Sequence, residues 1–256
     1  MLRLVTGIAI AILLAFPCLA QEPSNHPDAR GVLRLRVRVK LGDSTKGLSR
    51  KRFFLIKGSL EQNRATAEAI DQSPIPTRDC FYNSLGASPA LVKWLKEGDC
   101  ESLYCREIQS EDVAGEKAVP EFATAFAVGE KEFGNSELAL KWLTTNLPEK
   151  LRDGFYKKRH AVLDALIKQA ENISVASVLS VMTDRNGTAY FTDLQPGTYL
   201  LSNLLGAELG PSIVTWNCEV QVKAGDLATE KPYLVSNRKD KNVKCVGVEK
   251  PLPVCR

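Results

Sequence analysis

The chain is poor in histidine: His26 and His160 are the only two in 256 residues, too few for a His-rich metal site. It has no C-x-x-C pair, so zinc-ribbon and thioredoxin-type chemistry lack their usual spacing. The hydrolase, zinc-protease and phosphate-loop patterns G-x-S-x-G, H-E-x-x-H and Walker A are all missing. Ser236-Asn237-Arg238-Lys239 fits S-x-x-K, but it falls where a strand ends rather than where a helix opens. His160 sits among Lys157, Lys158 and Arg159 and reads as part of a solvated helix face. No catalytic residue, metal or cofactor is therefore assigned from the sequence. Composition is ordinary for a globular protein, 44% hydrophobic and 25% charged, which argues against collagen-like, low-complexity or disordered chains.

What is present first is an export signal. Arg3 gives a positive start, Leu4 to Phe16 is an almost unbroken apolar run, and Pro17-Cys18-Leu19-Ala20 ends on a small residue. This layout predicts a signal peptide over 1–20, cleaved after Ala20 and followed by a polar linker over 21–29. The apolar run is shorter than the ~20 residues a membrane span usually needs. A lipoprotein would need a small residue before Cys18, where Pro17 stands. Export places the mature protein in the periplasm, at the cell surface or outside the cell. Removing Cys18 leaves Cys80, Cys100, Cys105, Cys218, Cys245 and Cys255 as disulfide candidates, with connectivity open.

Hydrophobic periodicity divides the rest. Leu33, Leu35, Val37, Val39 and Leu41 alternate with Arg34, Arg36, Arg38 and Lys40, predicting a strand with one buried face. Gly42-Asp43-Ser44 reads as a turn, and Phe53 to Ile56 as a second strand. Strand signals return only at Ser174 to Met182, Ala189 to Phe191, Trp216 to Lys223 and Tyr233 to Val235, the last strand expected.

Between them the pattern is helical. Ser88-Pro89 opens a helix that Gly98 stops. Ala118 to Phe133 and Ser136 to Leu143 are further helices, and Asn146-Leu147-Pro148-Glu149 resembles a capping box before a long one. The expected fold is α+β: a β-sandwich from 30–58 and 173–240, a large helical insertion over 59–172, and a disulfide-containing tail over 241–256. The insertion and the later segments each hold three mature cysteines, so full pairing requires at least one bridge between them.

One stretch carries a family pattern. Asp184-Arg185-Asn186-Gly187 is a hairpin signal, Tyr190-Phe191 an aromatic strand, and Leu194-Gln195-Pro196-Gly197-Thr198-Tyr199 a turn into the next strand. This resembles the signature of carboxypeptidase regulatory-like domains, prealbumin-like Greek-key sandwiches related to the B-type repeats of collagen adhesins. The resemblance implies that Asp184, Gly187, Phe191, Leu194, Pro196, Gly197 and Tyr199 are fold residues, with Tyr199 making a tyrosine-corner contact at the turn. It implies a structural, adhesive or binding module, and no peptidase activity. Adhesin relatives form a Lys–Asn isopeptide bond, and Lys40 and Asn237 are suitably placed. That reaction needs an acid after the Pro-Gly-x-Tyr turn, where this chain has Leu200-Leu201-Ser202-Asn203.

Charge is polarised. Residues 30–57 hold ten Lys and Arg against one Asp, while 59–172 hold fourteen basic and nineteen acidic residues. The Arg34, Arg36, Arg38 and Lys40 face is a candidate site for an anionic ligand such as an acidic polysaccharide, unless the insertion packs over it. A nucleic-acid partner is not expected outside the cell. The leading expectation is an exported, non-catalytic binding or structural module. The alternatives are a secreted hydrolase-like enzyme with a site between insertion and sheet, and an accessory subunit meeting a cell-surface protein. A cleft with convergent acids or His160 would favour the enzyme; an exposed apolar patch would favour the subunit.

Overall fold

The computed structural model describes residues 30–73, 77–226, 231–237 and 244–255. The expected signal peptide and linker, and Arg238 and Lys239 of the S-x-x-K match, lie outside them. Strands β1 (Gly31–Leu41), β2 (Ser44–Gly47) and β3 (Arg52–Lys57) precede a helical stretch. That stretch comprises α1 (Arg64–Gln72), α2 (Arg78–Ser84), α3 (Pro89–Glu97), α4 (Ser110–Val113), α5 (Pro120–Phe133), α6 (Ser136–Lys141), α7 (Glu149–Arg152) and α8 (Gly154–Ser174). Then come β4 (Leu179–Met182), β5 (Thr188–Leu194), β6 (Gly197–Ser202), β7 (Ala207–Leu209), β8 (Ser212–Val222), β9 (Tyr233–Ser236) and β10 (Cys245–Pro251). The chain is α+β.

Two sheets face one another. In the first, β1 pairs antiparallel with β5 over its first half and with β2 over its second, and in parallel with β9. The second runs β10-β8-β6-β3-β4, with β7 also on β8. Leu35 and Val37 from the first sheet and Phe53, Leu201, Trp216 and Val220 from the second form one core. Alternation in β1 decides this arrangement, since its even positions carry cations that cannot enter an apolar interior unpaired. Leu41 departs from the expected pattern. It is 40% exposed, because it pairs with Ser44 at the β1–β2 turn, beyond the end of the core.

β3 shows why the helices lie where they do. Phe53, Phe54, Leu55 and Ile56 are all buried, so both faces of this strand need an apolar neighbour. Phe53 and Leu55 point into the core between the sheets. Phe54 and Ile56 join Leu200 and Leu204 against Ile70 of α1 and Leu163, Leu166 and Ala170 of α8. The remaining helices, with the first turn of α8, bury a second core around Tyr82, Leu91, Trp94, Phe122, Leu143 and Phe155. The layers are therefore first sheet, second sheet, helices. The helical block does not cover the outward face of β1.

Several boundaries differ from the sequence reading. Ser88 caps α3 as expected, its hydroxyl accepting from Leu91 N–H, and Gly98 ends the helix. Asn146, however, closes a 3-10 turn over Leu143–Asn146 and caps nothing; α7 starts without a side-chain cap. The chain then breaks at Asp153 before α8, because the expected single helix cannot pass through its φ of −143°. The strand expected from Ser174 begins only at Leu179, since α8 runs through Ser174 and stops at Val175. Tyr233 to Ser236 is not the last strand: the segment read as a tail contains β10, which pairs along β8 from Cys245↔Cys218 to Pro251↔Ser212.

All six cysteines among the described residues pair. Cys80–Cys255 joins α2 to the C-terminal segment, Cys100–Cys105 closes a loop in the helical block, and Cys218–Cys245 links β8 to β10. One bridge thus crosses between the helical and strand segments, the outcome that three-and-three parity requires.

Candidate functional site

The Asp184–Tyr199 stretch is built as a pair of interlocked turns. Asp184 Oδ1 accepts from the N–H groups of Asn186 and Thr188, at 2.8 Å each. Gly187 has φ +76°, and a Cβ there would lie 2.3 Å from the Val37 carbonyl oxygen, so glycine is needed for conformation and for space. Phe191 and Leu194 are buried in the core between the sheets. Past Pro196 and Gly197, the Tyr199 hydroxyl donates to the Gln195 carbonyl at 2.7 Å. Burial pushes the Tyr199 phenol up from its ordinary pKa, with nearby Arg30 acting the other way. These groups position β5 beside β1.

The candidate anion face lies on that pair of strands. Arg34 stands opposite Tyr190 of β5, its guanidinium carbon 5.9 Å from the ring centre. Arg36 is flanked by Thr188 and Leu234, and Arg38 by Gly47 and Ser236. Lys40 follows, opposite Thr45. Among the described residues none of these four side chains forms an ion pair, and the Nε atoms of Arg34 and Arg36 are buried without a hydrogen-bond partner. Alternate residues on one strand face lie about 6.8 Å apart, so the row spans roughly 20 Å. Tyr190 and Leu234 are exposed beside it.

Lys40 and Asn237 do meet, through a different bond. The Asn237 side-chain amide accepts from Lys40 N–H at 2.9 Å and donates to the Lys40 carbonyl at 3.0 Å. It continues the β1–β9 pairing by one step, and its nitrogen is engaged with backbone rather than with the Lys40 side chain. Asn203, standing after the Pro-Gly-x-Tyr turn, is buried and similarly bridges β8, bonding the Val214 carbonyl and Trp216 N–H.

A second feature was anticipated only as an alternative, a site between insertion and sheet, with His160 the one lining residue named for it. Between the helical block and the second sheet lies a cleft of about 440 Å3, reached by β3, α8, the Asp99–Cys105 loop and the segment into β7. Arg78, its side chain 7% exposed, ties this cleft together. Its guanidinium donates to the Cys100 carbonyl, to Glu208 of β7 at 3.1 Å and to Asp99 at 2.6 Å. Lys51 also holds Asp99, and Arg159 holds Glu101 at 3.1 Å. Burial works to raise the Asp99 pKa, but Lys51 and Arg78 overcome it and hold the carboxyl below its usual range. His160 packs its ring on Tyr156 at 4.1 Å. In the sequence Asp99 and Glu101 are simply two of the nineteen acidic residues of 59–172. Their cationic partners come from distant parts of the chain, so no local signal marked the cleft.

The class defined by this geometry is an α+β protein of two facing sheets, with a disulfide-anchored helical layer, one open basic face and one interlayer cleft. The chain matches no protein-family model, no curated protein and no solved structure. Among the described residues no helix is long and apolar enough to cross a membrane. The three disulfides are consistent with an exported protein.

Proposed function

We propose that this is an exported, non-catalytic binding module of the carboxypeptidase regulatory-like type, on a Greek-key prealbumin-like sandwich, whose basic face engages an anionic polysaccharide. The observation that carries the reading is the row Arg34, Arg36, Arg38 and Lys40, left uncovered by the helices and unpaired among the described residues. Such a row attracts a linear polyanion by summed field rather than by one strong contact, while Tyr190 and Leu234 offer apolar surface to sugar rings. The Tyr199–Gln195 bond and the Asp184 turn support the family assignment. The enzyme alternative draws support from the cleft, but each of its carboxylates is held by a cation, and none is left free as an acid or base.

Retention on immobilised heparin at low salt, lost in R34S/R36S/R38S, is the expected result. Equal retention on a neutral dextran column, or no retention at all, would contradict the proposal. A second reading rests on a separate observation. Val128, Phe133, Leu138 and Trp142 are exposed on the adjoining helices α5 and α6 and the turn after them, which suits contact with a cell-surface protein.

A further inference from the structure

The interlayer cleft has no role in polysaccharide binding by β1, which lies on the opposite side of the molecule. We infer that it is a binding site for a small anion carrying a ring or apolar body, such as an aryl carboxylate or a phosphate or sulfate ester. Four observations converge on this. The volume, about 440 Å3, falls within the range of small-ligand pockets. Its lining holds five basic residues against three acidic ones, and all three acids are consumed by Lys51, Arg78 and Arg159. Arg50 and Arg52 remain at the mouth with no ion pair among the described residues, so the surplus charge sits where a ligand's anionic end would enter. Part of its wall is apolar: Phe54 and Leu163 are buried there and Leu205 is half-buried, while exposed Met182 and Tyr156 also line it, the Tyr156 ring tilted against that of His160 at 4.1 Å.

Backbone conformation points to the same place. Arg50 has φ +54° and Asp99 φ +51°, both in the left-handed region that non-glycine residues seldom adopt. Leu204, between the lining residues Asn203 and Leu205, has φ +48°. Arg50 is fixed there by its N–H, which donates to the Thr183 carbonyl at 3.0 Å. Backbone held against its preference clusters where side chains must be aimed. The two walls are also joined by Arg78, which bonds both Asp99 and Glu208, so the cleft is formed before any ligand arrives.

The chain provides its own reporter. It has two methionines, Met1 and Met182, and Met182 lines the cleft. Methyl-13C methionine labelling of the disulfide-bonded protein gives a Met182 signal, assigned with M182L. Titration with phenyl phosphate is expected to shift that signal saturably, and inorganic phosphate to bind at least about tenfold more weakly. R50S/R52S, two exposed positions, should weaken phenyl phosphate about tenfold or more. Y156A should bring phenyl phosphate down to the level of inorganic phosphate. R34S/R36S/R38S should change neither, which separates this site from the basic face. An unmoved Met182 signal, equal affinity for the two probes, or unchanged affinity in R50S/R52S would overturn the inference.

Discussion

Tyr199 shows how much one side chain can settle. Its ring fills the core between the sheets and its hydroxyl returns to the Gln195 carbonyl, so a single residue fixes both the strand and the turn before it. Tyr199→Phe keeps the ring and loses the bond; urea unfolding should show a loss of about 1 kcal/mol. This contact was legible because all its parts lie within five residues. Val175 was not legible. It is a β-branched residue at φ +50° and 90% exposed, ending α8 where glycine would be expected. Val175→Gly removes the conformational penalty and should stabilise the protein by about 1 kcal/mol, offset in part by a freer unfolded chain. No local signal distinguishes Val175 from a strand residue, which is why Ser174 to Met182 reads as β.

At the scale of elements, the join between helices and sheets depends on α2. Cys80 bonds Cys255, and Arg78, two residues earlier, reaches Asp99 and Glu208. C80S/C255S releases a link spanning 175 residues, and should cost about 2–4 kcal/mol in denaturation measurements. C100S/C105S, which opens a link of five residues, should cost less, because closing a short loop removes less entropy from the unfolded chain. Parity of the cysteines was enough to require a cross-link but not to say which. Likewise, the run Phe53 to Ile56 reads as a strand, yet nothing local says that α1 and α8 cover the face carrying Phe54 and Ile56. β10 was missed for a related reason. Its residues 245–251 are mostly exposed, with no alternation, and only pairing with β8 makes them a strand.

For the molecule as a whole, pH dependence follows from which ionisable groups are buried. Burial pushes the phenols of Tyr82 and Tyr233 up to about 12, and raises Tyr199 as well. A raised folded pKa means stability is intact below the unfolded value near 10 and is lost as pH climbs through the folded value. Thermal midpoints should therefore fall between about pH 10 and 12. Asp99 is displaced downward, so its contribution is present above about pH 4 and is lost as pH drops through its folded value. Asp99→Asn should flatten part of that acid limb. Scanning midpoint against pH checks both limbs.

The larger plan was readable only in part. Two strand-forming segments around a helical stretch could be read from periodicity, because burial leaves its mark on every second or every third to fourth residue. The cleft could not, since β3, the Asp99–Cys105 loop, α8 and the entry to β7 meet only in three dimensions. The basic face is the exception among functional features: alternation along one strand places Arg34, Arg36, Arg38 and Lys40 together without any knowledge of the fold. Its accessibility, however, depended on which side the helices chose.

That accessibility is tested most directly by measuring affinity for a heparin oligosaccharide against salt concentration, in the wild type and as Arg34, Arg36 and Arg38 are replaced in turn. Binding through the basic row requires counterions to be released from the polyanion, so affinity should fall steeply with salt, and each replacement should make that slope shallower. Affinity insensitive to salt, or a slope that the triple replacement leaves unchanged, would contradict the account.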